Sequence, residues 1–227
     1  MKFAGKLGIM LCIRHAVREN DMKMCKRIWG VILLTVLCLC GCGEPKLPEV
    51  IDRPTVSLLK DGRVMAYLVE DFDKEYYDTE ELSDMVVQEA EEYNNSKVQS
   101  LENGLPVTVR DVARVAGNEK KVCVAYEFST ADVYQHFLGQ KLFSGTVLEA
   151  QMKNYKFDVS LQNVKDGSEL SGDALLENKD KKIIVTDAKA VIYCSGKVTH
   201  VSKGAVYNED GSVDATAAEG LVYIILK

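Results

Sequence analysis

Seven cysteines, three histidines and thirty-four carboxylates are among the side chains able to bind metal, carry protons or act as nucleophiles in this chain. Five of the cysteines lie at or before Cys42, which leaves Cys123 and Cys194. Neither belongs to a C-x-x-C pair, so no metal-type spacing remains. Both sit in apolar, β-type runs. Two readings stay open for them: a disulfide formed in an oxidising exterior, or two buried free thiols. His136 falls off the apolar side of a short helical pattern and His200 stands alone in a strand pattern. Neither fits H-x-x-x-H or H-E-x-x-H, so each is expected to be a surface or structural residue.

Among the carboxylates, Glu89 draws attention. At 100° per residue it falls within an apolar helical stripe, between Met85 and Tyr93. A covered carboxylate there would have its pKa raised by desolvation unless a cation or hydroxyl satisfied it. Asp71, Asp73 and Glu75 follow an i, i+2, i+4 spacing like the start of a calcium loop. Positions 6 and 12 of such a loop call for Gly and Glu, and here they are Tyr76 and Leu82. The segment therefore reads as a solvated acidic link, and Asn208–Asp214 as an acidic surface turn. There is no G-x-S-x-G and no Gly-rich phosphate loop in the chain. No catalytic, cofactor-binding or metal-binding residue is assigned.

The clearest chemistry lies upstream. Lys23, Lys26 and Arg27 precede an uncharged run from Ile28 to Leu39 of 12 residues. As a helix that run spans roughly 18 Å, short of a bilayer core of about 30 Å. A basic head, a short apolar middle and small residues at the end are the parts of a secretory signal peptide. The end reads Leu39-Cys40-Gly41-Cys42 and resembles the lipobox of bacterial lipoproteins. The resemblance implies cleavage before Cys42 and acylation of its sulfur, because a thiolate is the nucleophile that accepts the diacylglyceryl group. Two or more acyl chains give stable anchoring where one binds marginally. Residues 1–41 are thus expected to be a signal peptide. Counting from Met22 or Met24 instead of Met1 leaves 20 or 18 residues before Cys42 rather than 41, so residues 1–21 read as an extension upstream of the working start.

Residues 1–42 hold 7 of the 28 Lys+Arg and 2 of the 34 Asp+Glu, leaving 21 basic and 32 acidic residues and a net charge near −11. That balance opposes nucleic-acid binding, which depends on neutralising phosphates, and opposes a peripheral grip on anionic lipid. The lone Trp, Trp29, lies in the signal, so any sugar-stacking surface would need Tyr or Phe.

The positioning elements follow from periodicity and turn chemistry. Residues 42–54, with Pro45, Pro48 and Pro54, read as a lipidated cysteine and a semi-rigid tether. Residues 55–227 read as one α+β domain. A hairpin spans 56–69 about Asp61-Gly62, and Asp78–Asn94 is the best helix, with Asp78 as its cap and Leu82, Met85, Val86, Ala90 and Tyr93 as its stripe. A second hairpin covers 107–128, and Ser129 or Thr130 caps a short helix that Gly139 stops. The repeated hairpin-then-helix order hints at an internal ββα repeat. Thr146 caps a turn or two, 155–164 is a strand, and 171–177 is a short helix. Strands follow at 183–185, 190–194, 198–201 and 221–226, the last apolar enough to be central. The predicted fold is a largely antiparallel sheet with one long and one or two short helices packed on one face.

Asp71-Phe72-Asp73-Lys74-Glu75-Tyr76-Tyr77-Asp78, running into the acidic helix, resembles small envelope lipoproteins of bacteria over about residues 55–140. That resemblance implies no activity. The expectation is a lipid-anchored extracytoplasmic binding or assembly module, held to the membrane by Cys42 and independent of nucleic acid. The competing readings are an envelope hydrolase whose acids, such as Glu89 and Asp73, are assembled by folding, and a ligand-capturing lipoprotein for a transporter.

Overall fold

The computed structural model describes residues 44–96 and 104–227, which belong to one compact unit, Gly43–Lys227. Thirteen strands and four helices occur among them. In chain order they are β1 (Thr55–Leu58), β2 (Val64–Asp71), α1 (Thr79–Ser96), β3 (Val107–Val115), β4 (Asn118–Phe128), α2 (Ala131–Leu138), β5 (Leu142–Thr146), α3 (Val147–Met152), β6 (Ser160–Asn163), β7 (Glu169–Ser171), α4 (Gly172–Leu176), β8 (Lys182–Thr186), β9 (Val191–Cys194), β10 (Val198–Ser202), β11 (Val206–Tyr207), β12 (Val213–Asp214) and β13 (Val222–Leu226).

The fold is α+β and mostly antiparallel, as predicted, but the strands divide between two sheets. The larger runs β11-β12-β9-β1-β2-β4-β3 and the smaller β5-β8-β13-β10-β6-β7. Only β1 and β9 pair in parallel. The two hairpins adjoin through β2 and β4, with Val64 opposite Phe128. The apolar last strand, β13, lies between β8 and β10, where its Ile224 and Ile225 are fully buried on opposite faces.

Alternation along the strands builds two cores. Val56, Leu58, Val64, Ala66, Val124 and Tyr126 of the larger sheet meet Leu142, Ile184, Val198, Val222 and Ile224 of the smaller one. The alternate residues of the smaller sheet, Phe143, Ile183, Val185, Tyr223 and Ile225, face Val147 and Ala150 of α3 and Leu175 of α4. The period of two in the side chains thus makes the smaller sheet the middle layer. The helices accordingly do not share one face. α1 and α2 close the first core, where Phe137 meets Tyr93 at 5.3 Å and Tyr126 at 5.4 Å between ring centroids, and α3 and α4 close the second.

Local chemistry sets the helix ends. Asp78 accepts from the backbone N–H of Glu80 at 2.7 Å, Thr130 from that of Val133, and Thr146 with Glu149 forms a full capping box. Asn94 in the last turns of α1 both donates to the carbonyl of Val107 and accepts from its N–H, at 2.8 and 2.9 Å, so an amide side chain caps the edge strand β3. Against the predicted strand at 155–164, residues 155–159 are irregular. Tyr155, Phe157 and Val159 are still apolar on alternate positions, but they pack on the second core instead of extending a ladder. The tether also ends earlier than Thr55: Pro54 accepts from Val191 N–H, and Glu49, Val50 and Ile51 share a recess with Met65, Tyr67 and Cys123 on the outer face of the larger sheet.

Candidate functional site

Four strand ends meet at one end of the smaller sheet: the end of β6, the start of β10, the end of β13 and the start of β8. Their register fixes this, with His200 opposite Asn163, Val198 opposite Leu226 and Ile225 opposite Ile183. Between them lies a cleft of about 590 Å³, within the range of about 300–1,000 Å³ that holds small ligands. Val164 and Leu226 supply apolar walls. Lys165, Lys181, Lys182, Lys197 and Lys227 surround them, with His200, Thr199 and a single acidic side chain, Asp180, also lining the cleft.

Four of the five lysines are placed by backbone hydrogen bonds. Asn163 accepts from the Lys165 N–H at 2.9 Å, and Val164 N–H donates to the carbonyl of Thr199. Asn178 accepts from Lys181 N–H, and Lys197 from Lys227 N–H at 2.9 Å. The turn before Lys197 requires Gly196: its φ is +154°, and a Cβ would come within 3.3 Å of Leu226 Cδ1. Thr199 is an extra residue in β10, a bulge between Val198 and His200. Because of it Val198 and Val201, three apart, both enter the first core, and His200 is turned off that core towards the cleft.

Charge is distributed unevenly. The four described arginines are committed to the scaffold. Arg53 pairs with Asp214 at 2.8 Å, Arg63 and Arg110 share Glu127, and Arg114 donates to the carbonyls of Phe72 and Glu119. By contrast, none of the five cleft lysines takes part in an ion pair among the described residues. Burial holds the His200 pKa below its ordinary value, Lys181 adds to that, and Asp166 opposes it. The Thr199 hydroxyl donates to the carbonyl of Ile225 at 3.1 Å. It is therefore left to accept from His200 Nδ1, also 3.1 Å away, which sets the tautomer and leaves Nε2 uncommitted to this contact. The arrangement can attract and hold an anion, with an imidazole able to take up a proton beside it.

The residues singled out from the sequence are not brought together. Cys42, like residues 1–41, lies outside the described residues. Glu89 is exposed on α1, so its carboxylate is not covered and the apolar stripe frays at this turn. Val86 and Ala90 are the buried residues of the helix, while Met85 is 60% exposed. Glu89 lies about 80° round the helix from the midpoint of that pair. The carboxylate still acts on a neighbour: burial, and secondarily Glu89, push the Tyr126 hydroxyl up to about 12. Asp73 pairs with its neighbour Lys74 and, like Glu89, does not line the cleft. Among the described residues no group of three or more His, Cys, Asp or Glu is placed to hold a metal ion.

The disulfide between Cys123 and Cys194 is likewise not formed; both are free thiols. Cys123 faces outward from the larger sheet and Cys194 packs on the first core, and β1 and β2 separate their strands. Three strand spacings of about 4.8 Å exceed the Cα separation of about 7 Å that a disulfide tolerates. Burial pushes the Cys194 thiol up to about 11 and also raises that of Cys123, which suppresses thiolate reactivity. His136 is exposed, with Nδ1 2.7 Å from the carbonyl of Asp132. Asp210 of the acidic turn accepts from the hydroxyls of Tyr193 and Ser212.

Sequence reasoning missed the lysine cleft because its cations are spread from 165 to 227 within an acidic chain. One local signal was present: the valines of Val198-Thr199-His200-Val201 are three apart, a spacing that a regular half-buried strand does not give and a bulge does. The chain matches no protein family, no curated protein and no solved structure.

Proposed function

We propose that this chain is a lipid-anchored, extracytoplasmic binding module of a bacterial envelope, and that the lysine cleft is its capture site. The observation that carries the reading is the set of five lysines without ion-pair partners around one apolar-walled cleft. A mature net charge near −11 makes a chance gathering of unpaired cations costly to explain, since acids are available throughout. Cations within a Debye length of one another, about 8–10 Å at moderate salt, raise the local concentration of anions and focus them into a low-dielectric recess. The address rests on the signal-peptide parts ending in Leu39-Cys40-Gly41-Cys42, which tie the module to the outer surface of the membrane.

Two measurements test the two halves. Thermal denaturation of the full chain at fixed ionic strength is expected to show stabilisation by multivalent anions and none by matched cations, with the gain lost in Lys181→Gln/Lys197→Gln. Equal response of wild type and variant contradicts a capture site here. For the anchor, mass spectrometry of the protein from a bacterial host is expected to find an acylated N-terminal Cys42, and Cys42→Ala is expected to leave the membrane on alkaline washing. Retention of that variant contradicts the lipid anchor.

A further inference from the structure

We infer that the cleft takes a phosphate ester carrying an apolar group, with the lysines around the phosphate and Val164 and Leu226 against the apolar part. The inference rests on the reading of the cleft as a capture site and names what it captures. Two features argue for phosphate. The cations of the cleft are lysines, point charges that can surround a tetrahedral anion from several directions. Five of them suit a group carrying about −1.5 to −2 charges, as a phosphate monoester does, better than a singly charged carboxylate. Thr199, whose hydroxyl proton goes to Ile225, and the half-buried His200 complete the polar side.

The apolar component follows from the walls. A site meant for inorganic phosphate alone would be small and polar. Here the recess is about 590 Å³, its walls include two aliphatic side chains, Val164 and Leu226, and the lysine stems add further apolar surface while their ammonium ends stay in water. Gly196 lets the chain turn tightly against Leu226, so the aliphatic wall and Lys197 are built together. A phosphate with an apolar body uses both halves of the cleft, and neither half alone accounts for the other.

The test is calorimetric titration of the full chain reconstituted in phosphatidylcholine vesicles. The probes are dihexanoyl phosphatidic acid, inorganic phosphate and hexanoate. The expected result is binding of the phosphatidic acid at least tenfold tighter than of either part alone. Lys181→Gln/Lys197→Gln should weaken it tenfold or more, while Lys60→Gln, outside the cleft, should leave it unchanged. Repeating the titration with phosphatidic acid already in the vesicles separates the sources. Suppressed binding means that membrane headgroups reach the cleft, unchanged binding means that the ligand arrives from solution, and both sustain the inference. Inorganic phosphate or hexanoate binding as tightly as the amphiphile overturns it. So does binding indifferent to the two lysines. If many anions bind through these lysines without preference for phosphate, the capture-site reading stands and this one falls.

Discussion

Replacing Gly172 with alanine tests how closely the second core is built. A Cβ at this position would lie 1.5 Å from the carbonyl oxygen of Phe157 and 2.6 Å from its carbon, so no side-chain rotation relieves the clash. Either α4 or residues 155–159 must move by more than an ångström. That motion breaks the bond from Gly172 N–H to Val159 O, 2.9 Å, which contributes about 0.5–1.5 kcal/mol. It also shifts Phe157 against Tyr223, whose hydroxyl donates to the Lys156 carbonyl. Adding an overpacking cost of about 1–3 kcal/mol gives a loss of roughly 2–4 kcal/mol. For a unit spanning Gly43–Lys227, each kcal/mol lowers Tm by about 2–4 °C, so the expected drop is roughly 4–16 °C. Circular dichroism melts of wild type and variant, with the near-ultraviolet tyrosine signal recorded beside the backbone signal, measure it. A drop below about 2 °C would refute the close approach of these two backbones.

Four further substitutions probe the edge strand, a buried hydroxyl and the cleft histidine. Asn94→Ala removes both bonds to Val107 and frees the start of the edge strand, and urea denaturation is expected to show a loss of about 1–3 kcal/mol; no change means the amide is solvated there. Ser57 has a fully buried hydroxyl with no hydrogen-bond partner among the described residues, so Ser57→Ala is expected to be neutral or stabilising by up to about 1 kcal/mol, and a destabilised variant contradicts the unsatisfied hydroxyl. Proton NMR titration of His200 is expected to give a higher pKa in Lys181→Gln and a lower one in Asp166→Asn. Because the folded value is depressed, the unfolded chain protonates first as pH falls. Stability is therefore full above the ordinary histidine value of about 6.5 and declines as pH falls through it toward the folded value; a shift of opposite sign in either variant rules out the assigned neighbours.

What could be read from the chain divides by the range of the interactions. Local signals were reliable: Asp61-Gly62 turned its hairpin, Asp78, Thr130 and Thr146 capped their helices, Gly139 ended α2, and the run at 221–226 became a central strand. Pairing was harder. The short strands β7, β11 and β12 carry two or three residues each and owe their state to the ladder they join. Residues 155–159 had strand-like alternation but packed as an irregular layer. That the strands would form two sheets was hidden because it depends on which apolar face meets which. The exposure of Glu89 was illegible for a related reason: the surface below α1 buries Val86 and Ala90 and only partly covers Leu82 and Tyr93, and the sequence does not say where that cover ends. The cleft was the least legible feature. Lys165, Lys181, Lys182, Lys197 and Lys227 converge only through the register of β6, β8, β10 and β13, and their charge was masked by an acidic total.

The account stands on the lysine cleft as the place where this module holds an anionic ligand. Nuclear magnetic resonance of isotopically labelled protein, titrated with dihexanoyl phosphatidic acid, tests that most directly. The account predicts shift changes concentrated at residues 163–165, 180–182, 197–200 and 226–227, together with the His200 ring. Changes centred on another surface, or none at ligand concentrations that saturate the calorimetric response, would contradict it.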